Sequence, residues 1–263
     1  MNQRRQPVMG VIGGAGVAAG ARLAARLEAR VTEMGAYQDV HHPEVVLWQA
    51  TSAPSRSLFL EGRGPDFRPA YAAIGRHLKA CGADVFCMAC NAAHRHAAQI
   101  AQSAGLPLIH LLDELFDAVR TRHPQAKRIG VLSSTGSRDC RIFDEPARGL
   151  ELRYADDDVQ RQITAGICGV KSAKRWLPES HPERPQAQFR GACRHLVRNG
   201  AQALVLGCTD IGVDFPWDSV DGIPVVDGLD ALADALLRYW LRHGEFDAGH
   251  PLAGFAEAVK RQA

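Results

Sequence analysis

The sequence lacks several features that would narrow its role at once. No apolar run is long enough to span a membrane. The stretch from Val8 to Val17 is glycine-rich and soon meets Arg22 and Arg26, so it does not read as the apolar core of a secretory leader. Neither sign of charge is in excess: 31 Lys and Arg against 29 Asp and Glu leave a formal +2, which gives no reason to expect nucleic acid or an anionic membrane as partner. The Arg4–Arg5 pair is too short for a basic tail. The seven cysteines are odd in number and sit in apolar or helical contexts, so a reduced, cytoplasmic protein is expected rather than a disulfide scaffold. Cys87 and Cys90 spell Cys-X-X-Cys, but no second such pair completes a zinc site, and positions three apart on a strand point to opposite faces. The glycines Gly13, Gly14 and Gly16 match neither the Gly-X-Gly-X-X-Gly spacing nor a P-loop with its lysine. Asp156, Asp157 and Asp158 have no histidine or further carboxylate at ligand spacing and read as a solvated helix start. No metal or cofactor is expected.

What is present is alternation. Apolar runs at 8–12, 43–50, 83–89, 106–110, 127–132, 150–154, 203–206 and 223–226 predict strands. Between them, 18–34, 68–80, 91–104, 112–122, 137–148, 159–170, 186–198 and 229–242 predict helices, with a further helical stretch after Pro251. Residues 51–68 and 177–186, rich in Pro and Gly, predict loops. Strand alternating with helix argues for an α/β fold with a mostly parallel sheet, and 263 residues suit one large domain or two of ordinary size.

The pattern also restarts. Gly10–Gly16 lines up with Gly130–Gly136, Gly82–Cys90 with Gly200–Cys208, and Gly105–Ile109 with Gly222–Val226, at offsets of 120, 118 and 117 in the same order. Three nearly constant offsets imply two similar lobes. Each lobe has a cysteine at the end of a strand, followed by Asn91 or Thr209, residues suited to cap a helix. Ligands of open α/β sheets bind beyond the carboxyl ends of strands, and pockets favour domain interfaces. Cys90 and Cys208 are therefore expected to face each other across one cleft, with thiol pKa values lowered by the helix N-termini that follow. Two opposed thiols can take a proton from one face of a carbon and deliver one to the other, which inverts a stereocentre.

These residues resemble a family, the cofactor-independent aspartate/glutamate racemase superfamily, and within it the aspartate racemase branch. Cys90-Asn91-Ala92-Ala93-His94 resembles that family's Cys-Asn-Thr-Ala-His, and Leu206-Gly207-Cys208-Thr209-Asp210 its Leu-Gly-Cys-Thr-Glu. Gly10–Gly16 resembles its opening glycine turn, Ser52–Ser57 a Ser-X-Pro-Asp-Arg-Thr segment, and Val170-Lys171 a Val-Lys near a helix end. The resemblance implies racemisation of an acidic amino acid, aspartate before glutamate, without pyridoxal phosphate. Cys90 and Cys208 would be acid and base, Asn91 and Thr209 would hold the α-carboxylate, and Arg56 and Lys171 would bind the side-chain carboxylate. Lys171 shares its neighbourhood with Lys174 and Arg175, so a plain basic surface is the alternative. The backbone of the turn at Gly14, and Thr135 in the equivalent turn of the second lobe, join the substrate-binding set. Ala92 stands where the family has Thr, and Asp210 where it has Glu. His94 either polarises Cys90 or caps local polar groups, and Asp210 is a second auxiliary candidate. The resemblance further implies a homodimer, with a first lobe of residues 1–110 plus 212–263 and a second of 111–211. Other carbanion chemistry, such as hydantoin racemisation or decarboxylation of a malonate-type acid, and non-catalytic amino-acid binding are the alternatives.

Overall fold

The computed structural model describes residues 6–262, so Arg4 and Arg5 lie outside the described residues. The first half runs β1 (Met9–Gly13), α1 (Val17–Glu33), β2 (Val45–Gln49), α2 (Arg56–Leu60), α3 (Arg68–Ala80), β3 (Val85–Met88), α4 (Ala97–Ala104) and β4 (Leu108–Ile109). The second runs α5 (Leu111–Arg122), β5 (Arg128–Leu132), α6 (Thr135–Asp139), α7 (Asp144–Ala147), β6 (Glu151–Tyr154), α8 (Asp157–Val170), α9 (Pro185–Arg198), β7 (Ala203–Leu206), β8 (Ser219–Val220) and β9 (Ile223–Asp227). Helices α10 (Gly228–His243) and α11 (Ala253–Arg261) close the chain.

The strands form two sheets, ordered β2-β1-β3-β4 and β6-β5-β7-β9-β8. All pairs are parallel except β8 with β9. The repeat thus becomes topology: β1 lies between β2 and β3 as β5 lies between β6 and β7. Its register repeats too, Gly10 opposite Phe86 and Gly130 opposite Leu204. The fold is α/β with two mostly parallel, helix-flanked sheets.

Side-chain alternation along β3 settles the Cys-X-X-Cys question. Cys87 points into the larger core with Met9, Val11 and Leu115, while Phe86 and Met88 point to the other face with Tyr71 and Leu78. Cys90 packs on that second side.

Helix α1 ties the halves together. Ala19, Leu23, Leu27 and Val31 recur every four residues and are buried. The neighbouring stripe carries Arg22, Arg26 and Arg30. Arg26 Nη2 lies 2.7 Å from Asp227 Oδ2, Arg30 Nη2 2.8 Å from Asp230 Oδ1, and Arg30 Nε 2.5 Å from Asp234 Oδ1, so α1 is bound along α10. Arg22 Nη1 donates to the Val213 carbonyl at 2.9 Å.

Several expectations change. The segment 212–263 does not lie wholly with the first sheet, because β8 and β9 hydrogen-bond into the second beside β7. The 51–68 stretch holds the short helix α2, whose N-cap Ser55 accepts from the Leu58 N–H. The helix expected over 137–148 is broken into α6 and α7 by a turn in which Arg141 has φ 49°. The helix expected from Asn91 begins as a 3₁₀ turn over Asn91–His96. No helix follows Cys208 beyond a 3₁₀ turn, Ile211–Asp214, since Pro216 comes next. Among the described residues no helix is long and apolar enough to cross a membrane.

Candidate active site

Strands β3 and β7 deliver their cysteines to the same place. Cys90 and Cys208 are both half-buried and line one narrow cavity of about 60 Å³. A hydrogen bond joins the two strand ends directly, the Thr209 hydroxyl donating to the Ala89 carbonyl at 3.0 Å. Because that carbonyl is buried, replacing Thr209 by Val should cost about 1–3 kcal/mol, measured as a lower urea midpoint, while Thr209→Ser should retain most of the stability.

Asn91 and Ala92, just beyond Cys90, are buried against the cavity. Neither Oδ1 nor Nδ2 of Asn91 has a hydrogen-bond partner among the described residues. A buried amide left unpaired is costly, and a ligand in the cavity would supply what it lacks. From the second half, Ser134 and Ser137 face the same space, Ser134 Oγ donating to Ser137 Oγ at 3.0 Å.

The cations come from opposite sides. Arg56, the first residue of α2, lines the cavity together with Cys90. Its Nη1 donates to the Pro54 carbonyl at 2.8 Å and more weakly to Ala53 at 3.3 Å, and its guanidinium lies over the Tyr71 ring at 5.7 Å. Burial works against its charge, but the Cys90 sulfur, Tyr71 and Asp210 leave its pKa above the ordinary value. Lys171 caps the end of α8 and turns inward: its Nζ lies 2.8 Å from Asp210 Oδ2 and donates to the Ala15 carbonyl at 3.2 Å. Lys174 instead reaches Glu183, at 2.9 Å, so of the neighbouring cations it is Lys171, itself half exposed, that meets the cavity. The Asp210 carboxylate fits because residue 16 is glycine, where a Cβ would lie 1.8 Å from Oδ1.

Two cations and one carboxylate leave this region net positive, which favours an anionic ligand. The expected lowering of the Cys208 pKa is reversed. Burial pushes this thiol up, and the Asp210 carboxylate adds to the effect, against Lys171 and the Asp210 backbone N–H. No helix N-terminus stands behind Cys208 to offset it.

A profile of the Asp/Glu/Hydantoin racemase family matches residues 12–236, a span that takes in both cysteine-bearing strand ends. The chain belongs to this family. It is 22% identical over 213 residues to the broad specificity amino-acid racemase RacX of Bacillus subtilis, covering 80% of this chain and 87% of that one. Its fold is similar to that of the aspartate racemase of Picrophilus torridus, with a TM-score of 0.74 at 21% identity over 94% of this chain and 98% of the other. The likeness to glutamate racemase RacE1 of Bacillus anthracis is lower, with a TM-score of 0.58 at 12% identity over 90% and 82%.

Within this racemase fold the other site expectations separate. Cys90, Cys208, Arg56, Asn91, Ala92, Lys171, Thr209 and Asp210 do share the cavity. Gly14 does not: it lies in an adjoining outer space, with φ 80° and a position where a Cβ would meet Ala50 N at 2.4 Å. Thr135 is turned aside, its hydroxyl 3.0 Å from that of Thr164, and it is Ser134 and Ser137 of the same turn that reach the cavity. His94 is no partner of the Cys90 sulfur. Its Nδ1 donates to the Cys90 backbone carbonyl at 2.9 Å, taking the acceptor to which an α-helical first turn would direct the His94 N–H. Burial and the edge-on His110 ring, 4.8 Å away, push its pKa down to about 3, so the imidazole is neutral and structural. The serines gave no motif to find in the sequence, although Ser133–Ser134 occupies in the second repeat the place of Gly13–Gly14 in the first.

Proposed function

We propose that the protein racemises or epimerises free amino acids by moving a proton between Cys90 and Cys208, without pyridoxal phosphate. The observation that carries this is the meeting of two thiols, from equivalent ends of two repeated sheets, at one cavity beside an unpaired buried amide. One thiolate removes the α-proton of the bound amino acid. The other, as a thiol, delivers a proton to the opposite face of the same carbon, and the roles exchange for the other enantiomer. Atoms balance, since one proton leaves Cα and one arrives. Burial and the Asp210 carboxylate favour the thiol form of Cys208, which suits it to deliver a proton.

The Asn91 amide and nearby backbone N–H groups would receive the α-carboxylate. Thr209 contributes through its backbone, since its hydroxyl proton is committed to Ala89. Asn91→Ala should lower kcat/KM about 10- to 150-fold, the value of one or two hydrogen bonds to a charged group. The same variant should fold as stably as the parent or more so, because the amide it removes is unpaired. A loss of stability equal to the loss of activity would mean that Asn91 is structural.

An acidic substrate, aspartate before glutamate, is what the sequence resemblance favours, and it requires Arg56 and Lys171 to be available to a second carboxylate. A homodimer in a reducing cytoplasm belongs to the same proposal, the first on the resemblance and the second on the unpaired cysteines. Chiral chromatography of a panel of single-enantiomer amino acids incubated with the purified protein, reductant and no pyridoxal phosphate tests the activity. Appearance of the opposite enantiomer is the expected result. Its absence across the panel would move the reaction to hydantoins or malonate-type acids.

A further inference from the structure

Of the two cations expected to clamp a side-chain carboxylate, Lys171 is paired within the protein and Arg56 is partly committed to it. Arg56 Nη1 donates to two backbone carbonyls and its guanidinium lies over the Tyr71 ring, while its buried Nε has no hydrogen-bond partner among the described residues. Lys171 is spent on Asp210 and the Ala15 carbonyl. Asp210 has only 6% of its side chain exposed. Drawing Lys171 to a substrate carboxylate would leave that buried charge without its partner, which is strongly unfavourable. A second carboxylate on the substrate would also lie beside Asp210.

Outside the thiol cavity is a wider vestibule of about 810 Å³. It adjoins the inner space, with Ala15, Ser55, Arg56, Lys171 and Asp210 lining both. Its wall is mixed, with an apolar part formed by Val17, Ala18 and Ala21 from α1, Ala53 before α2, and Ala173 and Trp176 from the turn after α8, beside polar Thr51 and Ser172. Val17 and Trp176 are 54% and 77% exposed, so apolar area is left for an occupant to cover. Arg175 also lines it, with its guanidinium 4.8 Å from the Trp176 ring centre.

Resting on the two-thiol reading above, we infer that the preferred substrates are amino acids with large uncharged side chains, the side chain lying in this vestibule while Cα sits between the thiols. Lys171 then serves Asp210 rather than the substrate's side chain, and Arg56 is held against the Ala53 and Pro54 carbonyls at the cavity wall. Asp210 is the specificity-determining residue, because it neutralises Lys171, which could otherwise reach a distal carboxylate.

The test is the rate of α-proton exchange in D2O, by proton NMR, for L-leucine, L-methionine, L-phenylalanine, L-alanine, L-aspartate, L-glutamate and L-2-aminoadipate. The large neutral side chains should exceed both aspartate and glutamate in kcat/KM by about tenfold or more, the value of burying one such side chain. Asp210→Asn, which releases Lys171, should raise kcat/KM for aspartate or glutamate about tenfold relative to leucine. Ala21→Phe, which fills the vestibule from the exposed start of α1, should lower the leucine-to-alanine ratio about tenfold. Preference of the unaltered protein for aspartate, glutamate or 2-aminoadipate would overturn the inference and leave the two-thiol reaction intact. An unchanged leucine-to-alanine ratio in folded Ala21→Phe would overturn the vestibule. Exchange with no amino acid at all would overturn both together.

Discussion

Replacing Cys208 by alanine will abolish net racemisation yet leave α-proton exchange in one enantiomer only. The remaining thiol, Cys90, can still remove the proton that faces it and return a solvent-derived one to the same side. It cannot supply the opposite face. Cys90→Ala should show the mirror pattern, with exchange confined to the other enantiomer. Because each thiol is the acid or base of one half of the reaction, loss of either should lower the racemisation rate by about 10²–10⁴-fold or more. The measurement is parallel NMR of both enantiomers in D2O with each variant, in the presence of reductant. Equal exchange of both enantiomers in both variants would mean that neither thiol is committed to a face. Cys87→Ala is the control for thiol chemistry in general: Cys87 is fully buried on the far side of β3, and its burial keeps the thiol protonated.

The buried thiols also make the fold sensitive to alkali. Burial pushes Cys87 well above the ordinary thiol range, and burial with the Asp221 carboxylate pushes Cys193 up to about 12. In the unfolded chain both would ionise near pH 8.5. Above that pH the unfolded state has released protons that the folded state still holds. Stability is therefore complete below about pH 8.5 and is lost as pH rises towards the folded values. Each such thiol approaches a slope of about 1.4 kcal/mol per pH unit only above its unfolded pKa, so these two should remove roughly 2 kcal/mol between pH 8.5 and 9.5. Urea unfolding at pH 7.5 and 9.5 should show this fall, to which the raised Cys208 thiol adds, and Cys193→Ala should show a smaller pH dependence. A midpoint that is the same at both pH values would contradict it.

Much of the fold is legible before any coordinates, for a physical reason. Gly10 and Gly130 sit at the same register of their sheets, and the spacing from Gly82 to Cys90 returns from Gly200 to Cys208, so a repeat in the chain becomes the same strand order in space. Cys90 and Cys208 could be paired on that ground alone. Less could be read where distant segments meet. The Thr209 hydroxyl is taken by Ala89, Lys171 by Ala15 and Asp210, and Cys140 Sγ donates to the Leu60 carbonyl at 3.3 Å, contacts between residues far apart in sequence that local pattern does not encode. His94 illustrates the same limit at short range. Its position one turn beyond Cys90 is compatible with the sulfur or the carbonyl, and only the backbone geometry of the 3₁₀ turn gives it the carbonyl. The third repeat, Gly105–Ile109 with Gly222–Val226, correctly pairs β4 with β9, whereas the lobe boundary carried over from the family placed β9 with the wrong sheet.

The most direct measurement is the isotopic content of the product at early times. A single enantiomer with protium at Cα is incubated in D2O with the reduced protein and no pyridoxal phosphate, and both enantiomers are separated before a tenth of the substrate has turned over. Two thiols acting from opposite faces predict that the newly formed enantiomer carries deuterium at Cα while the recovered starting enantiomer still carries protium. Equal deuterium in both enantiomers from the first time point, or protium retained in the product, would contradict proton transfer between Cys90 and Cys208.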